Sequence, residues 1–276
     1  MNKILKIILI CLLFILVIAF SFGLFFLLKT NFSFGDYKLF SFNINNNLVE
    51  EKEIEDIKNL EVEFNSCDLN IKDSNDDKIL IQIYSEDSSE HEIVINDELV
   101  KVKLNEKNSF HFFSKSSRIV IYLPKVFNKN IVVNGSAGDI HLGNFNEANS
   151  KIILNAGDIH IDSLNSLDLN LDSGDIHVDN INDLVSDMRA GDLRVHNINN
   201  YIKLKQNAGD IKISNLNIKK NSSIDVSTGS VKISKTNDIY LDCSANIGDT
   251  KIGKNNRRSD IELVVRVNIG DIKINY

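Results

Sequence analysis

One phrase, Ala156-Gly157-Asp158-Ile159-His160-Ile161, returns in reworded form through the whole second half of the chain, and no other feature limits the possible folds as much. Its glycines stand at Gly138, Gly157, Gly174, Gly191, Gly209, Gly229, Gly248 and Gly270, giving successive spacings of 19, 17, 17, 18, 20, 19 and 22 residues. A recurrence of this length marks a repeat architecture, in which one small unit stacks on the next.

The residues inside one unit say what it builds. Ile152, Leu154 and Ala156 alternate with Ile153 and Asn155, the pattern of a half-buried strand. After Gly157 the alternation resumes with Ile159 and Ile161 inward and Asp158, His160 and Asp162 outward, but its phase has slipped by one residue. The chain must therefore bend or bulge at Gly157-Asp158; glycine supplies the backbone conformation, and the aspartate can accept a hydrogen bond from a nearby backbone amide. Each repeat becomes two short strands around a corner, closed by an apolar residue such as Leu164, Ile181, Ile198 or Leu216. One such unit cannot bury its own apolar face. Parallel stacking at ~4.8 Å per rung buries a continuous column of Ile, Leu and Val. The expectation is an all-β chain, a parallel β-solenoid of short (17–22 residue) Gly-Asp-Ile repeats. Helical repeats are excluded, because apolar spacings of three and four are missing and β-branched residues dominate. An antiparallel sandwich is the alternative, since evenly spaced short strands suit it too.

The segments before the repeats differ in kind. Ile7 to Leu28 is uncharged and apolar, about the ~20 residues a helix needs to cross a bilayer, with Lys3 and Lys6 before it and Lys29 after. Residues 1–29 are expected to form one N-terminal transmembrane helix, a signal anchor that makes the chain a single-pass protein of the cell membrane with its C-terminal part extracytoplasmic. Phe22-Gly23-Leu24-Phe25 offers no small-x-small cleavage site, and Cys11 lacks the small preceding residue of a lipidated cysteine. Residues 30–55, with Phe32, Phe34, Tyr37, Phe40 and Phe42, are expected to be a juxtamembrane stalk. Residues 56–130 form an irregular strand-rich start and 131–276 the regular repeats. Ser66 to Ile71 matches the repeat phrase with Cys67 in the glycine position, a degenerate first rung. Hairpin-like turns are expected at Asp76-Asp77 and Asn96-Asp97. The irregular section would cap the stack, whereas Ile269 to Tyr276 is a full rung with nothing after it, so its edge would stand open unless paired.

Charge narrows the partners. Three of the 31 basic residues lie in the first 29 positions, leaving 28 basic against 38 acidic side chains, a net of −10. That balance disfavours nucleic acid and polyanionic wall polymers. Cys67 and Cys243 fall several rungs apart, beyond the ~7 Å reach of a disulfide, and both are expected as buried thiols.

An apolar anchor, a degenerate first rung, a strand-rich section ending in Tyr122-Leu123-Pro124 and serial Ser/Ala-Gly-Asp-Ile units together resemble a bacterial family of candidate adhesins of unknown function. That family includes the LiaG-like membrane proteins and is similar to auto-transporter-adhesin-like head domains. The resemblance spans roughly residues 55 to 276. It implies a surface β-solenoid, associated in some relatives with cell-envelope stress systems, and it brings no catalytic residues.

Stacking would align Asp139, Asp158, Asp175, Asp192, Asp210, Asp249 and Asp271 in one row, with Ser230 in the remaining rung. Such a ladder could bind Ca²⁺, but the Gly-rich nonapeptide pattern of calcium-loaded rolls is missing, and the simpler reading is that each Asp caps its own bulge. Two residues on, His141, His160, His177, Arg194, Lys212, Lys232, Lys251 and Lys273 form a second row, whose three histidines could hold a metal or sense pH. The simpler reading makes them solvated partners of the Asp row. No catalytic, cofactor or metal site is therefore assigned, and no cofactor is expected. The loop Phe110, His111, Phe112 and Phe113 is the candidate contact patch. The expectation is a non-catalytic, adhesin-like binding or scaffold module whose partners are the membrane and another envelope or membrane protein or a surface glycan, not nucleic acid. The alternatives are an accessory or sensor subunit of an envelope-stress system, and a polysaccharide-active β-helix enzyme. The even repetition of outer polar residues argues against the last, since catalysis calls for one distinctive cluster.

Overall fold

A computed structural model describes residues 47–55, 59–85, 90–96, 99–105 and 117–276. The apolar run of the expected anchor, most of the stalk and the Phe110–Phe113 loop lie outside the described residues. Among those described, every regular element is a strand and no helix is long and apolar enough to cross a membrane.

The chain begins with β1 (Asn47–Ile54), β2 (Asn59–Ser66), β3 (Asp68–Ser74), β4 (Ile79–Ser85), β5 (Glu90–Ile95), β6 (Leu99–Asn105) and β7 (Arg118–Pro124). β8 (Asn130–Ala137), β9 (Ile140–Ala156), β10 (Ile159–Ser173), β11 (Ile176–Ala190) and β12 (Leu193–Ala208) follow, interrupted by the Gly-Asp corners after β8. β13 (Ile211–Leu216), β14 (Ser222–Thr228), β15 (Val231–Thr236), β16 (Tyr240–Ile247), β17 (Thr250–Ile252), β18 (Glu262–Ile269) and β19 (Ile272–Ile274) complete the set.

Successive repeats pair in parallel, coil on coil, as the spacing predicts. Ile140, Ile159, Ile176, Leu193, Ile211, Val231 and Ile272 meet one another across the ladder, all buried, and Leu142, Ile161, Val178, Val195, Ile213, Ile233 and Ile274 form a second such column. The turn-closing residues Leu164, Ile181, Ile198 and Leu216 form a third, which Phe145 extends. Each fully buried Ile or Leu contributes about 1.5–3 kcal/mol of transfer free energy, so these columns are the main favourable term of the fold. The apolar residue marks a second corner: in β10 the burial phase slips between Ile161 and Leu164, giving each coil two limbs around one core.

One detail of the alternation is corrected. Ala156, expected inside with Ile152 and Leu154, is exposed. The turn away from the core therefore begins before Gly157 rather than at it.

Asparagine supplies a polar counterpart to the apolar columns. Asn215 donates to Asn197 (2.9 Å) and Asn197 to Asn180 (2.7 Å), while Asn182 donates to Asn165 (3.1 Å) and Asn165 to Asn149 (2.9 Å). A side-chain amide both donates and accepts, so identical residues in parallel register satisfy one another along the stack. The abundance of Asn thus has a structural cause.

Both ends depart from serial stacking. At the C-terminal end, β18 and β19 lie between the Gly229 coil and the Gly248 coil: β18 pairs with β14 on one side and β16 on the other, β19 with β15 and β17. The last rung in sequence is therefore interior, and the open edge belongs to β16 and β17, where Ile247 is 65% exposed. Arg266 on β18 ties this outer coil down by binding Asp242 on β16. Cys243, expected buried, is half-buried on this edge strand; its thiol is pushed up to about 11, chiefly by burial and then by the neighbouring Asp242 carboxylate. Cys67 is buried as expected.

At the other end the Cys67 rung is not outermost. β2 sits between β6 and β8, and β3 between β7 and β9, all parallel. Lys101 on β6 bridges Glu61 (2.7 Å) and Glu63 (2.6 Å) on β2, and this contact holds the Glu63 carboxyl below its ordinary range. Antiparallel strands then cover the end: β5 on β6, β4 on β7 and β1 on β4. Two expectations change here. Residues 47–54, placed in the stalk, form β1; and the turn at Asp76-Asp77 is no hairpin, because β7 lies between β3 and β4. The turn at Asn96 does join a hairpin, β5 to β6, with the Asn96 side chain accepting from Leu99 N–H at 2.8 Å.

Candidate functional site

The corners stack into one face, and their geometry starts from glycine. All eight corner glycines have φ between 125° and 146°, and no other described residue has positive φ. The corner also brings coils into close backbone contact: a Cβ on Gly157 would lie 2.0 Å from the carbonyl oxygen of Gly138. Both facts exclude a side chain there.

The aspartate row follows from the same register. Asp158 Oδ1 accepts from Asp175 N–H (2.8 Å), Asp175 from Asp192 (2.8 Å), Asp192 from Asp210 (2.9 Å) and Asp210 from Ser230 (2.9 Å). Ser230 Oγ accepts from Asp271 N–H and Asp271 from Asp249 N–H, in the interleaved order of the last coils. Each side chain thus caps the corner of the neighbouring coil rather than its own, as the simpler reading had it. Along Asp139, Asp158, Asp175, Asp192 and Asp210 it is Oδ1 that accepts the amide of the next coil. Asp158→Ala should therefore destabilise by about 1 kcal/mol, whereas Asp158→Asn, which keeps the acceptor, should stay within about 0.5 kcal/mol of the parent in urea unfolding.

The second row is also aligned, from His141 through His160, His177, Arg194, Lys212 and Lys232 to Lys273 and Lys251. Arg194 reaches Asp192 at 2.9 Å and Asp175 at 3.7 Å, and Lys251 reaches Asp249 at 3.9 Å, exposed pairs that each contribute ~0–1 kcal/mol. The histidines behave differently. Their partners are not the corner aspartates but Asp162 and Asp179: His160 Nε2 lies 3.1 Å from Asp162 Oδ1, and His177 Nε2 lies 3.0 Å from Asp179 Oδ1. His141 has Gly143 where the next two coils have Asp162 and Asp179, and its Nε2 reaches across to Asp162 Oδ1 at 3.3 Å. The sequence does show the pair of phrases Asp-Ile-His-x-Asp at 158–162 and 175–179, but the diagonal reach of His141 depends on the register. His160 and His177 stack face to face, 5.0 Å apart and 1° from parallel, and His141 meets His160 edge-on at 5.0 Å.

These rows line a groove of about 530 Å³ bordered by Asp139, Asp158, Asp175 and the three histidines, with Arg118 and Arg194 among its lining residues. What the arrangement offers is a strip of imidazole nitrogens and carboxylate oxygens at fixed spacing.

A parallel-dominated all-β stack with left-handed glycine corners defines the class of protein. The family model of the Toastrack DUF4097 domain matches residues 57–275, and the chain belongs to that family. The resemblance read from the repeats, spanning roughly residues 55 to 276, agrees with this. Solved structures similar to the chain include a candidate cell adhesion protein from Clostridium sporogenes, at 14% identity over 82% of this chain and 98% of that one, with a TM-score of 0.29. A candidate lipid binding protein from Parabacteroides distasonis (15% identity, 82% and 96% covered, TM-score 0.48) and a candidate adhesin from Bacteroides fragilis (15%, 82% and 96%, 0.33) are also similar. No curated protein matches the chain.

Proposed function

We propose that this chain is a membrane-anchored, extracytoplasmic β-solenoid that acts as an adhesin-like binding or scaffold module without catalysis. The observation that carries the reading is the uncharged run from Ile7 to Leu28, long enough to span a bilayer, on the N-terminal side of a Toastrack-family domain that begins at residue 57. The Lys3 and Lys6 flank favours an inside N terminus, which would put the stacked coils outside. Evenly repeated rows of polar side chains suit contact with an extended surface better than turnover of one bond. The Phe110–Phe113 loop is the proposed contact patch, and its partner an envelope or membrane protein or a surface glycan.

Two measurements test this. Protease added to intact cells should digest the chain down to a membrane-protected N-terminal fragment; a fully protected chain would overturn the proposed orientation. The detergent-solubilised chain should co-sediment saturably with isolated cell walls or host-cell surfaces at both low and high salt. If it sediments with neither, the adhesin-like reading fails.

A further inference from the structure

Three potential metal-ligating atoms converge on the histidine strip. Asp162 Oδ1 lies 3.3 Å from His141 Nε2 and 3.1 Å from His160 Nε2, and the three side chains each offer a ligand atom within 4.8 Å of the others. The geometry points to a binding site for a divalent transition-metal ion such as Zn²⁺, with His141, His160 and Asp162 as its protein ligands and water at the remaining positions.

The distances suit the ion. Zinc binds imidazole nitrogen at ~2.0–2.1 Å and carboxylate oxygen at ~2.0–2.2 Å, so ligand atoms around a tetrahedral centre stand ~3.3–3.5 Å apart. Both nitrogen-to-oxygen separations are already close to that. Bringing the two nitrogens to the same spacing takes only rotation of imidazoles that are 40% and 46% exposed. Two imidazoles and one carboxylate also select by chemistry: they suit Zn²⁺, Ni²⁺ or Co²⁺, while Ca²⁺ and Mg²⁺ prefer an all-oxygen shell.

The fold assembles the site from two coils, so neither repeat contains it alone. Parallel register sets His141 beside His160, and Gly143 removes the side chain that would otherwise stand beside Asp162. His177 stacks flat on His160 but is engaged by its own carboxylate, Asp179, and so stands outside the ligand set. The repeat confines the site as well. Beyond His177 the row continues as Arg194 and lysines, which carry no imidazole. Without metal, the Asp162 carboxylate accepts from whichever imidazole Nε2–H groups are present; on binding, the ion takes the place of those protons, a neutral ring shifting to its Nδ1–H tautomer and a protonated one releasing its Nε2 proton to solvent.

The test uses the full-length chain in detergent, without a polyhistidine tag, titrated with ZnCl2 by calorimetry and with CoCl2 by absorbance. One equivalent of Zn²⁺ should bind in the micromolar range, and CaCl2 or MgCl2 should give no saturable signal. His160→Gln and Asp162→Asn should each weaken Zn²⁺ binding at least tenfold, and His177→Gln should change it less than threefold. These side chains are exposed or half-exposed, so the circular dichroism of all three variants should match the parent. Three results would overturn the assignment. They are no saturable Zn²⁺ binding, parental affinity in His160→Gln or Asp162→Asn, and a thiolate-to-cobalt charge-transfer band placing the ion on a cysteine.

Discussion

Gly174→Ala is expected to destabilise the stack by about 4 kcal/mol, through two effects that add. A Cβ at position 174 would lie 1.9 Å from the Gly157 carbonyl oxygen, closer than any nonbonded contact allows, and that oxygen belongs to backbone that cannot rotate away. The residue also holds φ at 146°, where a non-glycine residue is strained by about 1–3 kcal/mol. Relieving the clash means prising apart two coils whose amides are bonded, Gly157 N–H to the Ser173 carbonyl at 3.0 Å and Ile159 N–H to the Asp175 carbonyl at 2.9 Å. Overpacking of that kind costs about a further 1–3 kcal/mol. The urea midpoint should fall by at least about 1 M. Gly253→Ala is the matched control: its Cβ would meet nothing closer than 3.5 Å, so its stability should stay within about 0.5 kcal/mol of the parent. Equal stability for the two variants would mean that the corners relax, and that close coil-to-coil approach does not dictate the glycines.

The corner glycines are also why so much of the fold is legible in the sequence. A residue that must have positive φ and no side chain can only be glycine, and the turn recurs once per coil, so it prints itself at a regular interval. The inward columns are legible for a similar reason, since a buried parallel strand needs Ile, Leu or Val at every second position. Cys67 marks where the rule stops. It occupies the glycine level, donating its N–H to the Ala137 carbonyl at 3.0 Å, yet no described non-glycine residue has positive φ, so among the described residues the left-handed corners start only at Gly138.

The order of coils in space is what the sequence conceals. Hydrophobic alternation in β18 and β19 is the same whether the strands lie at the end of the stack or one place inside it, because the inward residues meet the same kind of core either way. The hairpin expected at Asp76-Asp77 fails for the same reason: two alternating strands joined by a short polar turn look alike whether they pair directly or flank a third. In the candidate site, the two rows could be placed from residue spacing, but the partners within them could not. Asp158 was expected to cap its own corner and instead caps that of Gly174, because a side chain in a parallel stack finds its nearest unbonded amide one coil away. The role of Asp162 is hidden in the sequence because it depends on His141 of the neighbouring coil, and on Gly143 leaving no side chain beside it.

The interleaved C-terminal end makes the second large prediction. In a serial stack, removing the last rung would expose the rung beneath and leave the rest intact. Here, deleting residues 254–276 removes β18 and β19, which are the pairing partners of β16 and β17. The deletion takes out the buried side chains of Leu263, Val265, Val267, Ile272 and Ile274, a gross loss of about 8–15 kcal/mol, comparable to the whole stability of a typical domain. The Gly248 coil then has nothing to pair with, and β14 and β15 become a new edge. The expected result is that amides of residues 240–252, although still in the chain, lose their hydrogen-exchange protection, while residues 140–213 keep theirs because stacked repeats hold chiefly to their neighbours. Retained protection across 240–252 would mean that the Gly248 coil can dock directly on the Gly229 coil. Register permits that docking, since both coils carry the Gly-Asp/Ser corner. Core size opposes it: the outer coil presents Cys243, Ala245 and Thr250, where the inserted rung presents Val265, Val267 and Ile272. The smaller side chains suit a coil that closes the stack, and they would leave the broad apolar face of β14 and β15 incompletely covered.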